Sequence, residues 1–239
     1  MSRLVPGGAL SAGLALLLGG WASGLAAQGD GARDFTLQDS RRDRPERFRR
    51  ANPSAVVATE LAFARAAQEH GQWTAFAKFA DDDAVMFVPQ TVRAKDWLKK
   101  QQNPAQAVRW QPHQVWSSCD GTLAVTKGAW QRADGTVGYF TTAWKRQRNG
   151  EYQWVMDQGD RLAQPLAAPE MIGGSVASCT APTTTPAATG APGQIVGWSR
   201  DKTLQWIVEV AADGSRNLKV NRWTGSSYEE VLRSEVAAG

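Results

Sequence analysis

The chain of 239 residues reads as an α+β protein, with helices first, an antiparallel meander next and a small β extension last. Three observations predict this. Residues 53–70 repeat apolar side chains at the helical period. Three turn dipeptides, Asp120-Gly121, Asp134-Gly135 and Asn149-Gly150, recur about every 15 residues between stretches of period two. The chain beyond residue 193 returns to β character and carries Trp198, Trp206 and Trp223.

Asn52-Pro53-Ser54 is a helix-start signal, and Gly71 is the matching stop. Between them Val57, Leu61, Ala64 and Gln68 fall on one face, with Val56, Phe63 and Ala67 beside it. A shorter helix is expected over Trp73–Phe79, broken by Asp81-Asp82-Asp83. A brief strand follows over Ala84–Val88, then a third helix over Arg93–Gln101. The turn dipeptides divide the next region into strands over 108–118, 122–133, 136–148 and 151–158. Residues 163–193 are rich in Pro, Ala, Thr and Gly and read as a linker. The last segment, 194–239, holds Leu204–Val210, Leu218–Trp223 and Tyr228–Leu232 around turns at Asp213-Gly214 and Thr224-Gly225. Three strands alone are marginal, so they are expected to pack on the main domain or on a partner.

The N-terminus reads as a secretory signal peptide over residues 1–27. Arg3 supplies the basic entry, Ala9–Leu18 the apolar core, and Gly24-Leu25-Ala26 or Leu25-Ala26-Ala27 the small residues at a cleavage point. The rival reading is an uncleaved anchor. Six glycines dilute the stretch, however, and only Leu14–Leu18 is strongly apolar, whereas a spanning helix needs roughly 20 such residues. No later segment is apolar enough to span. An exported protein is therefore expected, in the periplasm before the extracellular space. The mature chain has room for one medium domain with appendages.

The formal net charge of +4 has a local origin, because residues 41–50 alone carry six arginines and two acids. The basic character belongs to a flexible arm over 28–52 and not to the folded body. A nucleic-acid partner is not expected, and the arm is either solvated or attached to a polyanionic surface. Cys119 and Cys179 are an even pair in an oxidising compartment and are expected to form a disulfide. Their spacing fits no zinc pattern, and with only His70 and His113 besides, no metal site is expected. His70, next to Gly71, suits a helix C-terminus, where a cation favours the dipole.

Residues 54–160 carry Glu60-Leu61-Ala62-Phe63-Ala64 and Phe79-Ala80-Asp81-Asp82-Asp83-Ala84-Val85. They continue with Pro89, Gly128-Ala129-Trp130 and Trp154-Val155-Met156-Asp157. In these features the chain resembles the nuclear transport factor 2-like (SnoaL-like) superfamily. The resemblance implies N-terminal helices packed against a curved antiparallel sheet that forms a cone around an apolar pocket, with dimers as the usual assembly. The superfamily includes isomerases, dehydratases and non-catalytic binders, so the fold alone assigns no activity. Its ketosteroid isomerase branch places an aspartate just before the proline after the Asp-Asp turn. Here that run is Met86-Phe87-Val88-Pro89, and Phe63 stands where a phenol donor is expected. That type of isomerase is disfavoured.

If all three hairpins close with two-residue turns, cross-strand rows follow directly. One face then carries Trp116/Val125/Trp144/Val155, Gln114/Lys127/Thr142/Asp157 and Pro112/Ala129/Phe140/Gly159. The polar middle row is flanked by apolar ones, and buried polar groups need partners. Strands about 4.8 Å apart leave Lys127 roughly 10 Å from Asp157 across Thr142. A chain Lys127–Thr142–Asp157, extended by Gln114, then orients the polar end of a ligand, or else is a satisfied ion pair or a solvent-facing row. A bulge in any strand would exchange the faces. The pocket candidates are Gln114, Trp116, Lys127, Phe140, Thr142, Trp144 and Asp157.

These residues support two functions. One is a non-catalytic exported domain that binds a small apolar or amphipathic molecule, or an envelope protein. The other is a cone-pocket enzyme of lyase, isomerase or hydrolase type with Asp157 as base. No cofactor is expected for either.

Overall fold

The computed structural model describes residues 50–184 and 193–238. The expected signal peptide over 1–27, the arm as far as residue 49 and part of the expected linker, 185–192, lie outside the described residues.

Asn52 caps the first helix, α1 (Pro53–His70), its side chain accepting the Ala55 N–H at 3.2 Å. Gly71, at φ 98°, ends α1 and starts α2 (Gln72–Phe79). The buried face of α1 is Val56, Glu60, Phe63, Ala66 and Ala67. It is rotated from the expected face, and Leu61 is exposed. The rotation brings an acid inward, where the sheet supplies donors for it.

Asp81, Asp82 and Asp83 do not stand between elements but lie inside β1 (Ala80–Phe87), which pairs with β2 (Thr91–Arg93). The expected third helix shortens to α3 (Ala94–Leu98). The meander follows as β3 (Arg109–Ser117), β4 (Leu123–Gln131), β5 (Val137–Arg146) and β6 (Tyr152–Leu162). Its strands pair in the expected antiparallel order, but the sheet is larger and mixed. β1 adds in parallel beside β6, and β7 (Gly173–Val176) adds in parallel beside β3, giving the order β2-β1-β6-β5-β4-β3-β7. The stretch read as a linker over 163–193 thus supplies an edge strand. Gly173 lies so close to the Gln114 side chain that a Cβ there would collide with it.

The turns set the register, and here the structure corrects the sequence. The first hairpin pairs Gln114 with Lys127 and Trp116 with Val125, as expected, with a bulge at His113. In the second, the Arg132 N–H donates to the Thr136 carbonyl, leaving three residues in the loop, and Thr126 pairs with Thr142. A two-residue type I′ turn needs positive φ at both central residues. Gly135 has it, at 87°, and Asp134 does not. The one-residue offset moves β5 and β6 to the opposite face relative to β3 and β4. The third hairpin also has a three-residue loop, and an irregularity between Ala143 and Trp144 restores the pairing of Thr142 with Asp157.

The true rows are Val115/Thr126/Thr142/Asp157 and Ser117/Ala124/Trp144/Trp154 on one face. On the other they are Trp116/Val125/Ala143/Met156 and Gln114/Lys127/Thr141/Gln158. The first face packs on α1 and α2, around Val56, Phe63, Val115, Ala124, Trp144 and Trp154. The second packs on a separate four-stranded sheet, order β11-β10-β9-β8, made of β8 (Gln194–Trp198), β9 (Leu204–Val210), β10 (Arg216–Trp223) and β11 (Tyr228–Val236). Leu123, Val125, Ala143 and Met156 meet Leu204, Trp206, Val208, Leu218, Val220 and Leu232 there. Of the two expected homes for the C-terminal strands, they take the main domain.

A pair of matched turns joins the sheets. Ser118-Cys119-Asp120-Gly121-Thr122-Leu123 and Ser199-Arg200-Asp201-Lys202-Thr203-Leu204 share the pattern Ser-x-Asp-x-Thr-Leu. They also share its bonds, with each Ser hydroxyl donating to its Asp at 2.7 Å. Gly121 and Lys202 have nearly the same positive φ, 64° and 63°. Each turn completes the other. The Asp120 N–H donates to Asp201 at 2.8 Å and the Asp201 N–H to Asp120 at 3.1 Å. The Cys119 N–H donates to the Thr203 hydroxyl, and the Arg200 N–H to the Thr122 hydroxyl, both at 2.9 Å. Beside this clasp Cys119 and Cys179 form the expected disulfide.

Removing one acceptor orphans several donors at once. Asp201→Ala is therefore expected to cost about 1–3 kcal/mol in denaturant unfolding. Replacing both cysteines by serine is expected to cost about 2–4 kcal/mol.

Candidate functional site

A cavity of 330 Å³ opens between the helices and the inner face of the sheet. It lies near the lower end of the about 300–1,000 Å³ typical of small-molecule sites. Six aromatic residues line it: Phe63 of α1, Trp73 and Phe76 of α2, Trp110 of β3, Trp130 of β4 and Phe140 of β5. Phe63 packs edge-on against Phe76 and Trp110 with centroids 4.8 Å away in each case.

Three acids line this space: Glu60, Asp157 and, next in the chain to Arg161, Asp160. Glu60 comes from the inner stripe of α1 and is fully buried. Its Oε1 accepts the Trp110 indole N–H at 2.8 Å. Its Oε2 accepts the Thr126 hydroxyl at 2.7 Å and the Trp144 indole N–H at 3.0 Å. Burial raises its pKa above the ordinary carboxylate value, against the pull of those three hydrogen bonds. Asp157 comes from β6, and its Oδ2 accepts the Thr142 hydroxyl at 2.7 Å. Burial pushes its carboxyl up to about 7. The Thr142 bond opposes the rise, the charge of Glu60 adds to it, and Arg216 opposes it. Burial, helped by the charge of Glu60, thus brings the titration of Asp157 close to neutral pH.

Arginines stand elsewhere. Arg132 and Arg161 are exposed at the mouth, and Arg132 lies 5.5 Å from the centre of the Trp130 ring. Arg216, on β10, approaches from behind the sheet. It donates to the Gln158 side chain and the Gly159 carbonyl, both at 3.0 Å.

The structure brings together Phe140, Thr142 and Asp157 as cavity lining. Trp144 faces the same side but serves the core, fully buried as a donor to Glu60. Gln114, Trp116 and Lys127 are on the opposite face. Trp116 packs between the sheets, and Lys127 lies 5.4 Å from the Tyr139 ring centre, its pKa lowered by burial. The expected chain Lys127–Thr142–Asp157 does not form, because the three-residue turn places Lys127 beside Thr141.

The sequence reading missed Glu60, Trp73, Phe76, Trp110 and Trp130 as cavity residues. A signal existed for Glu60, an acid at helical spacing between Val56 and the pair Phe63 and Ala67. Among the described residues no group of His, Cys, Asp and Glu is arranged to hold a metal ion, and no helix is long and apolar enough to cross a membrane.

No protein-family model matches the chain, and no curated protein matches it. Solved structures do. A provisionally assigned ketosteroid isomerase from Parabacteroides distasonis is 13% identical, with 48% of this chain covering 96% of that one at a TM-score of 0.39. A provisionally assigned aromatic ring hydroxylase from Novosphingobium aromaticivorans is 13% identical, with coverages of 52% and 95% and a TM-score of 0.35. A conserved protein from Planctomyces limnophilus is also 13% identical, with coverages of 46% and 96% and a TM-score of 0.35. The activity of each remains its own.

Stability should carry the signature of the raised carboxyls. An acid whose folded pKa exceeds its unfolded one stabilises the fold below the unfolded value, and that contribution is lost as pH rises through the folded value. For Asp157 the window runs from 3.8 to about 7. Melting temperature is expected to fall across it, and Asp157→Asn to flatten the fall in scanning calorimetry. An unchanged slope would remove Asp157 as its source.

Proposed function

We propose that the protein is an exported small-molecule-binding member of the nuclear transport factor 2-like superfamily, with the sheet curved round α1 and α2 as a cone. Its ligand is a small amphipathic molecule whose apolar body lies among Phe63, Phe76, Trp110 and Phe140 and whose polar end meets Asp157 and Thr142. The observation that carries this reading is the aromatic cavity with the Asp157 carboxyl at its wall. Export fits the basic, apolar and small-residue start of the chain and the disulfide, which persists in oxidising compartments. The periplasm is the proposed location.

The test uses the indoles already in the cavity wall. Titration with 2-naphthol, which takes up indole excitation, is expected to quench Trp fluorescence at a single saturable site. Asp157→Asn should shift its midpoint by about tenfold, the scale of one lost charge-assisted hydrogen bond. Identical titrations of both proteins would sink the assigned site.

The pKa of Asp157, about 7, favours one second reading, proton abstraction from a bound carbon acid with Asp157 as base. Exchange of α-hydrogens of 2-tetralone in deuterium oxide is then expected to be accelerated by the protein. Asp157→Asn should slow it by about 10²-fold or more. Equal rates would leave binding as the function.

A further inference from the structure

The cavity has an internal charge imbalance. Its apolar interior receives two carboxyl groups, Glu60 and Asp157. Among the described ion pairs none involves either of them. The arginines that line the cavity, Arg132 and Arg161, are exposed at its mouth, where Asp160 lines the wall beside them and Asp134 feels both of their charges. Arg216 reaches β6 from the far face, and its hydrogen bonds end on Gln158 and Gly159 rather than on Asp157. Buried carboxylates are ordinarily paired. Here Asp157 adjoins the open cavity, and Arg216, whose charge acts on it from behind the sheet, makes no hydrogen bond or ion pair with it.

The walls of that space suit the same sign of ligand. Phe63, Trp73, Phe76, Trp110, Trp130 and Phe140 present π-systems, whose negative faces attract cations most strongly where water is excluded. Glu60 already accepts from Trp110, Thr126 and Trp144, and those bonds fix it at the wall. Asp157 accepts from Thr142 on Oδ2, which leaves Oδ1 to accept from a ligand N–H.

We infer that the ligand is an organic cation, an aryl or alkyl ammonium whose nitrogen sits against Asp157 inside the aromatic cavity. The inference rests on the small-molecule-binding reading above and names the polar end that reading left open. A cation entering the cavity gives Asp157 the direct ionic partner that Arg216 does not, and it favours the ionised carboxylate on binding. The mouth arginines oppose entry of the cation, and a ligand with an anionic end would be held there instead.

A series of one size and three charges separates the outcomes. Phenethylammonium, 2-phenylethanol and phenylacetate are titrated calorimetrically into the wild-type protein and into Asp157→Asn, a replacement of the same shape. Phenethylammonium is expected to bind the wild type about tenfold tighter than 2-phenylethanol. That preference should disappear in Asp157→Asn, because the cation loses about tenfold more affinity there than 2-phenylethanol does. If 2-phenylethanol or phenylacetate equals or exceeds the cation in the wild-type protein, the cation assignment is overturned and the binding pocket stands. If no member of the series binds, the binding reading falls with it.

Discussion

The central strands have to suit apolar surroundings on both sides, because α1 and α2 cover one face of the seven-stranded sheet and a second sheet covers the other. A sheet with one wet face tolerates a slipped strand poorly; one with two dry faces exchanges two different cores when a strand slips by a single residue. Here the two cores have different duties. Val115, Ala124, Trp144 and Trp154 surround the helices and the cavity, whereas Leu123, Val125, Ala143 and Met156 hold the C-terminal sheet. Gly135 and Gly150, each at positive φ in a three-residue loop, decide which residue of β5 and β6 serves which duty.

Within that frame Glu60 organises the inner core. A fully buried acid is costly, and the three donors that offset the cost come from β3, β4 and β5. The same bonds hold Trp110 and Trp144 at fixed positions against α1, so the wall of the cavity and the packing of the helix share one anchor. Asp157, nearby on β6, feels the charge of Glu60. The chemistry available to the cavity is thus built into the contact that seats α1 on the sheet.

Much of this architecture is legible in the chain because it depends on local chemistry. The Asn52 cap, Gly71 and the alternation within β3–β6 are read from neighbours in sequence, and the cysteine pairing from the even count of two. What is not legible depends on distance. An Asp-Gly dipeptide closes two-residue and three-residue loops alike, so turn chemistry alone puts Asp157 in a row with Lys127, which belongs to the other face. Phe140, Thr142 and Asp157 still share the cavity wall, since the Thr142–Asp157 pairing survives the shift through the irregularity in β6. The buried side of α1 is hidden because Glu60 counts as polar in any periodicity, and only its indole and hydroxyl partners show why it turns inward. β7 is masked by composition, for Gly173 and Gly174 are as typical of a tether as of a tightly apposed edge.

The covered outer face bears on how the chain could be divided. Residues 53–162 look self-contained by length and turn pattern, yet cutting before β8 would leave Leu123, Val125, Ala143 and Met156 facing water as one contiguous greasy surface. Surfaces of that kind recruit other molecules. The C-terminal sheet therefore acts as a permanent lining sewn to the fabric at Asp120 and Asp201, and the shortest soluble piece of this protein extends well past the end of the meander.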